Sequence, residues 1–333
     1  MNEENYTIRP YKPGDEIYIN ESFNEVFGTK RSIEEWYWKF QIDQNGSIIM
    51  LALNEEGKVL AQYAGIKVLL QIDDKIDIYI LVVDSYALKT REVLRNRIFL
   101  KTYEKYWDNF AGLELDKFPW HYGSNAGRIQ KLARLKMNAT EPVPTSYLFQ
   151  ETNILIRPFG MIFGHIIWNW HLRCSKNINL DDVDDLWRRS SERYPVAVLR
   201  DSNYIRRRYL SHPTNKYMLI PVYEEGIMRG LGILILKNRL MKWVDLIWDG
   251  KDSKTIRKLK KLAWNFSLSS AAIKLEMWLS NDDIAKGILI EEGLMIGQDP
   301  YDLYLTSRSF SPQLDGHELT RRLYFTMGDS DMF

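Results

Sequence analysis

The run KIDIYILVVDSYALKTREVLRNRIFLKTYEKYW, Lys75 to Trp107, decides how the rest of the chain is read. Its first half is rich in β-branched and aromatic residues and reads as a strand. From Arg91 onward the apolar residues fall at helical spacing, so the spacing predicts one amphipathic helix from Arg91 to Trp107. A strand feeding a helix N-terminus favours an anion, because the first N–H groups are free and the helix dipole is positive there. Such turns usually carry glycines. This one carries Arg91, Arg95 and Arg97 instead.

Upstream, YTIRPYKPGDEIYINESFNEVFG reads as a strand, a Pro-Gly turn with Asp15 as a helix cap, and a helix ending at Gly28. SIEEWYWKFQ follows as a second helix, with Ser32 and Glu35 at capping-box spacing. Two or three β runs then lead into the opening stretch. After it come a short strand FPWHYG, a helix from about Asn125 to Lys136, and a last strand near TSYLFQ. Beyond an apolar connector the same order returns: helices in NLDDVDDLWRRSSERY and RDSNYIRRRYL, three strands from Asn215 to Gly250, a helix, the strand IKLEMWL, a helix, and the strand YDLYLTSRS. The shared order is a structural repeat with almost no residue identity. It divides the chain into domains at 1–152 and 177–333 with a connector at 153–176. Each is expected to be α/β (mixed α+β), a central mixed, mostly antiparallel sheet covered by helices.

The chain has 333 residues, 45% hydrophobic and 27% charged, enough to build sizeable cores. Its 45 basic residues balance 44 acidic ones, so net charge supplies no drive toward nucleic acid or an anionic membrane. Nucleic-acid partners are not expected, and peripheral membrane contact is judged unlikely. The single cysteine, Cys174, excludes an internal disulfide framework and fits a reducing, cytoplasmic setting. The five histidines are too scattered to suggest a metal site. The most apolar window, Ile154 to Leu172, contains Arg157, Pro158, His165 and Asn169 and reads as a buried connector rather than a membrane span.

The element order, the IR strand with its PGD turn, VLAQYAGIKVLL, VVDSYAL and YGSNAGRIQKLARLKMN together resemble the GCN5-related N-acetyltransferase (GNAT) fold, present twice. LRDSNYIRRRYLSHPTNKYMLI and the terminal LYFTMGDSDMF resemble bacterial tandem-GNAT proteins associated with cell-surface polysaccharide synthesis. The resemblance implies that acyl-coenzyme A, acetyl-CoA or another, enters a gap between the fourth and fifth strands, its pyrophosphate at the following helix N-terminus. The usual Arg/Gln-x-x-Gly-x-Gly/Ala pattern there is replaced by VLRNRIF. This makes Arg91, Arg95, Asn96 and Arg97 candidate cofactor-binding residues, the three arginines pairing with phosphate by guanidinium instead of by backbone. The plain alternative is a solvated helix start whose site no longer binds the cofactor.

Acyl transfer to an amine needs a base and an acid. The resemblance makes Asp84 and Tyr122 the catalytic candidates and Asn125 a contact for the pantetheine arm, with helix capping as the plain reading of Asn125. His121 is a weaker base candidate. The second half's DGKDSKTIRKLKKL turn offers Gly250, a capping Ser253 and a basic face. Asp201, Tyr204 and Arg207 form a polar-aromatic group suited to an anionic or sugar-like acceptor, or to pairing with the acidic DDVDD at 181–185. A GDSD tail of this kind is expected to fold back and cap a cleft. Three functions follow. The first is an N-acyltransferase acting on a small amine, an amino sugar being one candidate. The second is a non-catalytic binding or assembly protein with degenerate sites. The third, an aminoacyl-transferase using charged tRNA, is disfavoured because a long basic helical arm is absent.

Overall fold

The computed structural model describes residues 5–40, 46–152 and 178–330, with Ile166, 168–170 and Leu172 between them. The expected connector 153–176, with Cys174, His165 and His171, therefore lies almost wholly outside the described residues. Contacts divide the chain into two compact units that interleave in sequence. Unit 1 comprises Met1–Leu69, Asp77–Val143 and Leu303–Thr320; unit 2 comprises Leu70–Ile76, Pro144–Asp302 and Arg321–Phe333.

In unit 1, β1 (Tyr6–Pro10) leads to α1 (Glu16–Phe27) and α2 (Ile33–Phe40). The predicted capping box forms at α2: Ser32 N–H donates to Glu35 Oε2 at 3.0 Å and Glu35 N–H to Ser32 Oγ at 3.2 Å. Asp15 precedes α1 but makes no cap; its carboxylate binds Arg9 and the Lys12 N–H. Then β2 (Ser47–Asn54), β3 (Val59–Ile72) and β4 (Lys75–Ala87) form an antiparallel meander, and β4 runs parallel to β5 (Trp120–Ala126). Between these two lie α3 (Arg91–Arg95) and α4 (Ile98–Phe110); after them come α5 (Arg128–Lys136) and the two-residue β6 (Val143–Pro144).

Strand β2 shows why its sequence, SIIMLALN, is almost continuously apolar. Ile49, Leu51 and Leu53 enter one core with Ile19, Trp36 and Phe40 of α1 and α2. Ile48 and Met50 enter another with Tyr103, Tyr106 and Trp107 of α4. Both faces are covered by helices, so both strand parities must be apolar.

The sixth strand of the unit 1 sheet is β14 (Leu303–Ser309), from the far end of the chain. It pairs antiparallel with β5 from Leu303↔Ala126 to Ser309↔Trp120. Reciprocally β7 (Tyr147–Glu151), which follows the N-terminal half, belongs to unit 2. There it pairs antiparallel with β12 (Lys274–Ser280) and with β13 (Met295–Gly297). The rest of the unit 2 sheet is β9 (Met218–Glu224), β10 (Ile227–Lys237) and β11 (Leu240–Trp248), with β11 parallel to β12. Helices α6 (Leu180–Ser190), α7 (Ser202–Ile205), α8 (Ser253–Ser269), α9 (Asp283–Glu291) and α10 (Gly316–Arg322) complete the order. Two short strands escaped the sequence reading: β8 (Val196–Val198) and β15 (Leu323–Thr326), which pair parallel. No helix among the described residues is long and apolar enough to cross a membrane.

Candidate functional site

In unit 1 the parallel β4–β5 ladder has three rungs, Ile80↔His121, Leu81↔Tyr122 and Val82↔Gly123. Gly123 makes the last rung tight, because a Cβ there would sit 2.9 Å from the Val82 carbonyl oxygen. Beyond it the strands part. Strand β4 continues to Ala87 while β5 runs on against β14. Among the described residues no strand pairs into the gap, so β4 beyond Val82 has no ladder partner on the β5 side.

Asp84 sits on that edge with φ +47, a left-handed conformation uncommon for a side-chain-bearing residue. Its backbone is held by Gln62, whose Nε2 donates to the Asp84 carbonyl at 2.9 Å. Its carboxylate is held by two cations: Arg31 Nη1 on Oδ2, and Lys39 Nζ on Oδ1 at 2.5 Å. Arg31 lies in the loop between α1 and α2. Asn20 and Asn24, one turn apart on α1, each donate to its carbonyl oxygen, and its Nε donates to Asn20 Oδ1 at 2.6 Å. The buried acid thus ties the α1–α2 segment to the splayed strand.

The predicted single helix after β4 is two helices. Thr90 caps the five-residue α3, its Oγ1 accepting from the Val93 N–H at 3.3 Å. Asn96 is the C-terminal cap of α3, and Arg97 takes φ +52 before α4 begins. The correction has a simple origin: the apolar spacing survives the break, and arginine carries no signal for a left-handed residue. The break leaves the amides of Ile98, Phe99 and Leu100 as the free N-terminal donors of α4, with no side chain capping them. Arg91, Arg95, Asn96 and Arg97 are all exposed. Among the described residues none of the three guanidiniums pairs with an acid.

On β5 the candidates separate. Tyr122 is 1% exposed and stacks on Trp120, centroids 4.8 Å apart. Asn125 is a strand residue, not a helix cap; Gly127 precedes α5. Its Nδ2 donates to Thr306 Oγ1 at 2.6 Å, which leaves Oδ1 to accept. His121 is in the core against Tyr106, Trp107 and Phe310, and burial pushes its pKa down to about 3. Its rings of neighbours favour the neutral tautomer in which Nε2–H donates to Phe118 O and Nδ1 accepts from Tyr106, contacts of 3.2 and 3.3 Å.

The equivalent place in unit 2 is filled by protein. The β11–β12 ladder also has three rungs, ending at Lys242↔Glu276. Beyond it β12 takes up β15, through Leu279↔Thr326 and Ser280↔Phe325. Tyr324 OH donates to the Leu246 carbonyl of β11 at 2.6 Å. The tail after β15 is locked by Arg200, wholly buried, which binds Asp245 Oδ1 at 2.9 Å and Asp329 Oδ2 at 2.5 Å. Gly328 packs so closely that a Cβ would lie 2.1 Å from Tyr209 OH. The loop before α8 is closed too: Asp252, not Ser253, caps that helix, and Arg193 lies across Gly250 and over the Trp248 ring.

The other predicted group falls here and disperses. Asp201 is the cap of α7, accepting from the Tyr204 N–H at 2.8 Å. Tyr204 is buried beside Asp245 and Tyr209. Arg207 lies in a π-helical turn, Arg206–Leu210, its pKa pushed down to about 10 by burial and by Arg208. Aspartates of 181–185 bind elsewhere: Asp184 holds Ser202, Asp185 holds Arg188 and Asp182 holds Tyr223. Sequence reasoning missed Arg31 and Lys39, which no spacing connected to Asp84.

No protein-family model and no curated protein matches the chain. Solved structures do. Over its full length the chain superposes on Saccharomyces cerevisiae N-myristoyltransferase with bound myristoyl-CoA, covering 90% of that chain with a TM-score of 0.58 at 12% identity. A conserved Enterococcus faecalis V583 protein described as a probable N-acyltransferase gives a TM-score of 0.58 at 9% identity, over 92% of this chain and 73% of that one. The chain shares the fold of these solved structures. At these identities the likeness is one of fold.

Proposed function

We propose that unit 1 binds an acyl-coenzyme A in the β4–β5 gap and transfers its acyl group to an amine. The observation that carries the reading is the contrast between two equivalent places: among the described residues no strand enters the gap of unit 1, whereas that of unit 2 is filled by β15 and the tail. Support comes from what surrounds the first gap. Free amides of α4 and three exposed guanidiniums offer an anion site for the pyrophosphate, the side chains acting where glycines usually admit backbone. The stretch of β4 beyond the last rung is the proposed source of N–H donors to the pantetheine amides and to the thioester carbonyl, where negative charge develops. Asn125 Oδ1 accepts from the same arm.

The amine nitrogen attacks the thioester carbon, the C–S bond breaks, and coenzyme A leaves as the thiol once a proton is supplied. Asp84 and Tyr122 remain the proposed acid–base residues. The acceptor is proposed to be the amine of a small molecule, an amino sugar being one candidate, and acetyl the group moved.

Calorimetry with coenzyme A and acetyl-CoA tests the reading. Binding of one ligand per chain, lost in the R91A/R95A/R97A variant, is the expected result. No binding at millimolar ligand overturns it and favours a second reading, a non-catalytic binding or assembly protein. Arg97 at a position suited to glycine is the observation on that side.

A further inference from the structure

We infer that the gap of unit 1 admits only a short acyl group, and that Tyr122, backed by Trp120, sets the limit. The inference rests on the donor site proposed above and names the class of donor. A chain sliding between β4 and β5 stops at the Val82↔Gly123 rung, because below it the strands are hydrogen-bonded and pressed together. To go deeper, an acyl tail must turn to one face of the sheet or the other.

Both faces are occupied at that level. On the side of even-numbered β4 residues, Ile80 packs with Tyr63, Tyr103, Tyr106 and Trp107, a cluster no more than 7% exposed. His121 and Trp107 close it further, ring centroids 4.7 Å apart. On the opposite side Tyr122 lies against Trp120 with the rings 16° from parallel, and Tyr79 meets Trp120 edge-on at 5.7 Å. Trp120 is 0% and Tyr122 1% exposed. Interiors packed in this way yield little room without side-chain displacement. Tyr122 is one rung below the mouth, so its ring is the first obstacle on its face. An acetyl or propionyl group fits above it, whereas a long alkyl tail needs the stacked pair to move.

Binding of coenzyme A, acetyl-, hexanoyl- and myristoyl-CoA, measured by calorimetry below the micellar concentration of the last, tests this. Acetyl-CoA is expected to bind at least as tightly as coenzyme A, and the myristoyl tail to add less than about threefold. In Tyr122→Val the hexanoyl-to-acetyl affinity ratio should rise about tenfold. Myristoyl-CoA binding wild type a hundredfold more tightly than coenzyme A overturns the length limit while leaving the donor site intact. If coenzyme A itself does not bind, the donor site falls and the limit with it. The wild-type series decides the matter even if the variant fails to fold.

Discussion

Asp84 and Arg31 stand 53 residues apart in sequence and form an ion pair inside unit 1, with Lys39 on the second carboxylate oxygen. The Asp84 side chain is 3% exposed, Arg31 9% and Lys39 10%. Neutralising the acid strands buried positive charge. Asp84→Asn should therefore cost about 3 kcal/mol, the scale for breaking a buried pair. Urea denaturation measures it, and Arg31→Met added to Asp84→Asn should cost less than the sum of the single changes. Strict additivity would show that the pair is not coupled.

Arg97 offers a test with opposite signs. A glycine there removes the penalty of φ +52, so Arg97→Gly should stabilise the fold by about 1 kcal/mol. It also deletes one cation, so binding of coenzyme A should weaken. A tighter complex in Arg97→Gly would mean that backbone approach, not the guanidinium, governs the anion site.

His121 predicts a pH dependence. Its folded pKa is about 3, below the ordinary value of 6.5, because burial disfavours the charged ring. Below pH 6.5 the unfolded chain takes up a proton that the folded chain refuses. Its contribution is thus complete above pH 6.5 and declines as pH falls toward about 3, by roughly 5 kcal/mol at most. Melting temperatures from pH 7 to pH 4 should fall less steeply for His121→Phe than for wild type. Equal slopes would contradict the assignment.

Gly328→Ala probes the filled gap of unit 2. Its new Cβ would collide with Tyr209 OH and approach Asp245 Oδ2 at 3.0 Å, so a loss of about 2 kcal/mol is expected. Tyr209→Phe in the same chain should recover part of it. No loss of stability would show that the tail can leave the gap freely.

Much of the fold was legible because the signals are local. Apolar periodicity located β2 and β4, the Ser32–Glu35 box located α2, and Gly28 ended α1. Other features were not local. A strand-like run such as YDLYLTSRS declares itself a strand, but period 2 says nothing of its neighbour, so the pairing of β14 with β5 was invisible. Three-residue β8 is too short to show a period. Of the proposed site, Asp84, Arg91, Arg95, Arg97 and Asn125 could be named from the sequence, because a strand feeding a helix is a local signal. The clamp on Asp84 could not, since Arg31 and Lys39 approach it only through the turn between α1 and α2. Tyr204 and Arg207 gave a helical-face pattern that the short α7 does not extend far enough to realise.

The position of β14 has a consequence for how the protein is made. Asn125 meets Thr306 across a separation of 181 residues, so β5 has no partner on that side until β14 has been synthesised. Unit 1 cannot finish folding before then, although most of its residues emerge earlier. During that interval β5 is an open strand edge, the kind of surface that captures other chains. The β5–β14 pairing is non-local and slow to form, so yield should depend on chaperones and on expression temperature more than final stability alone would suggest.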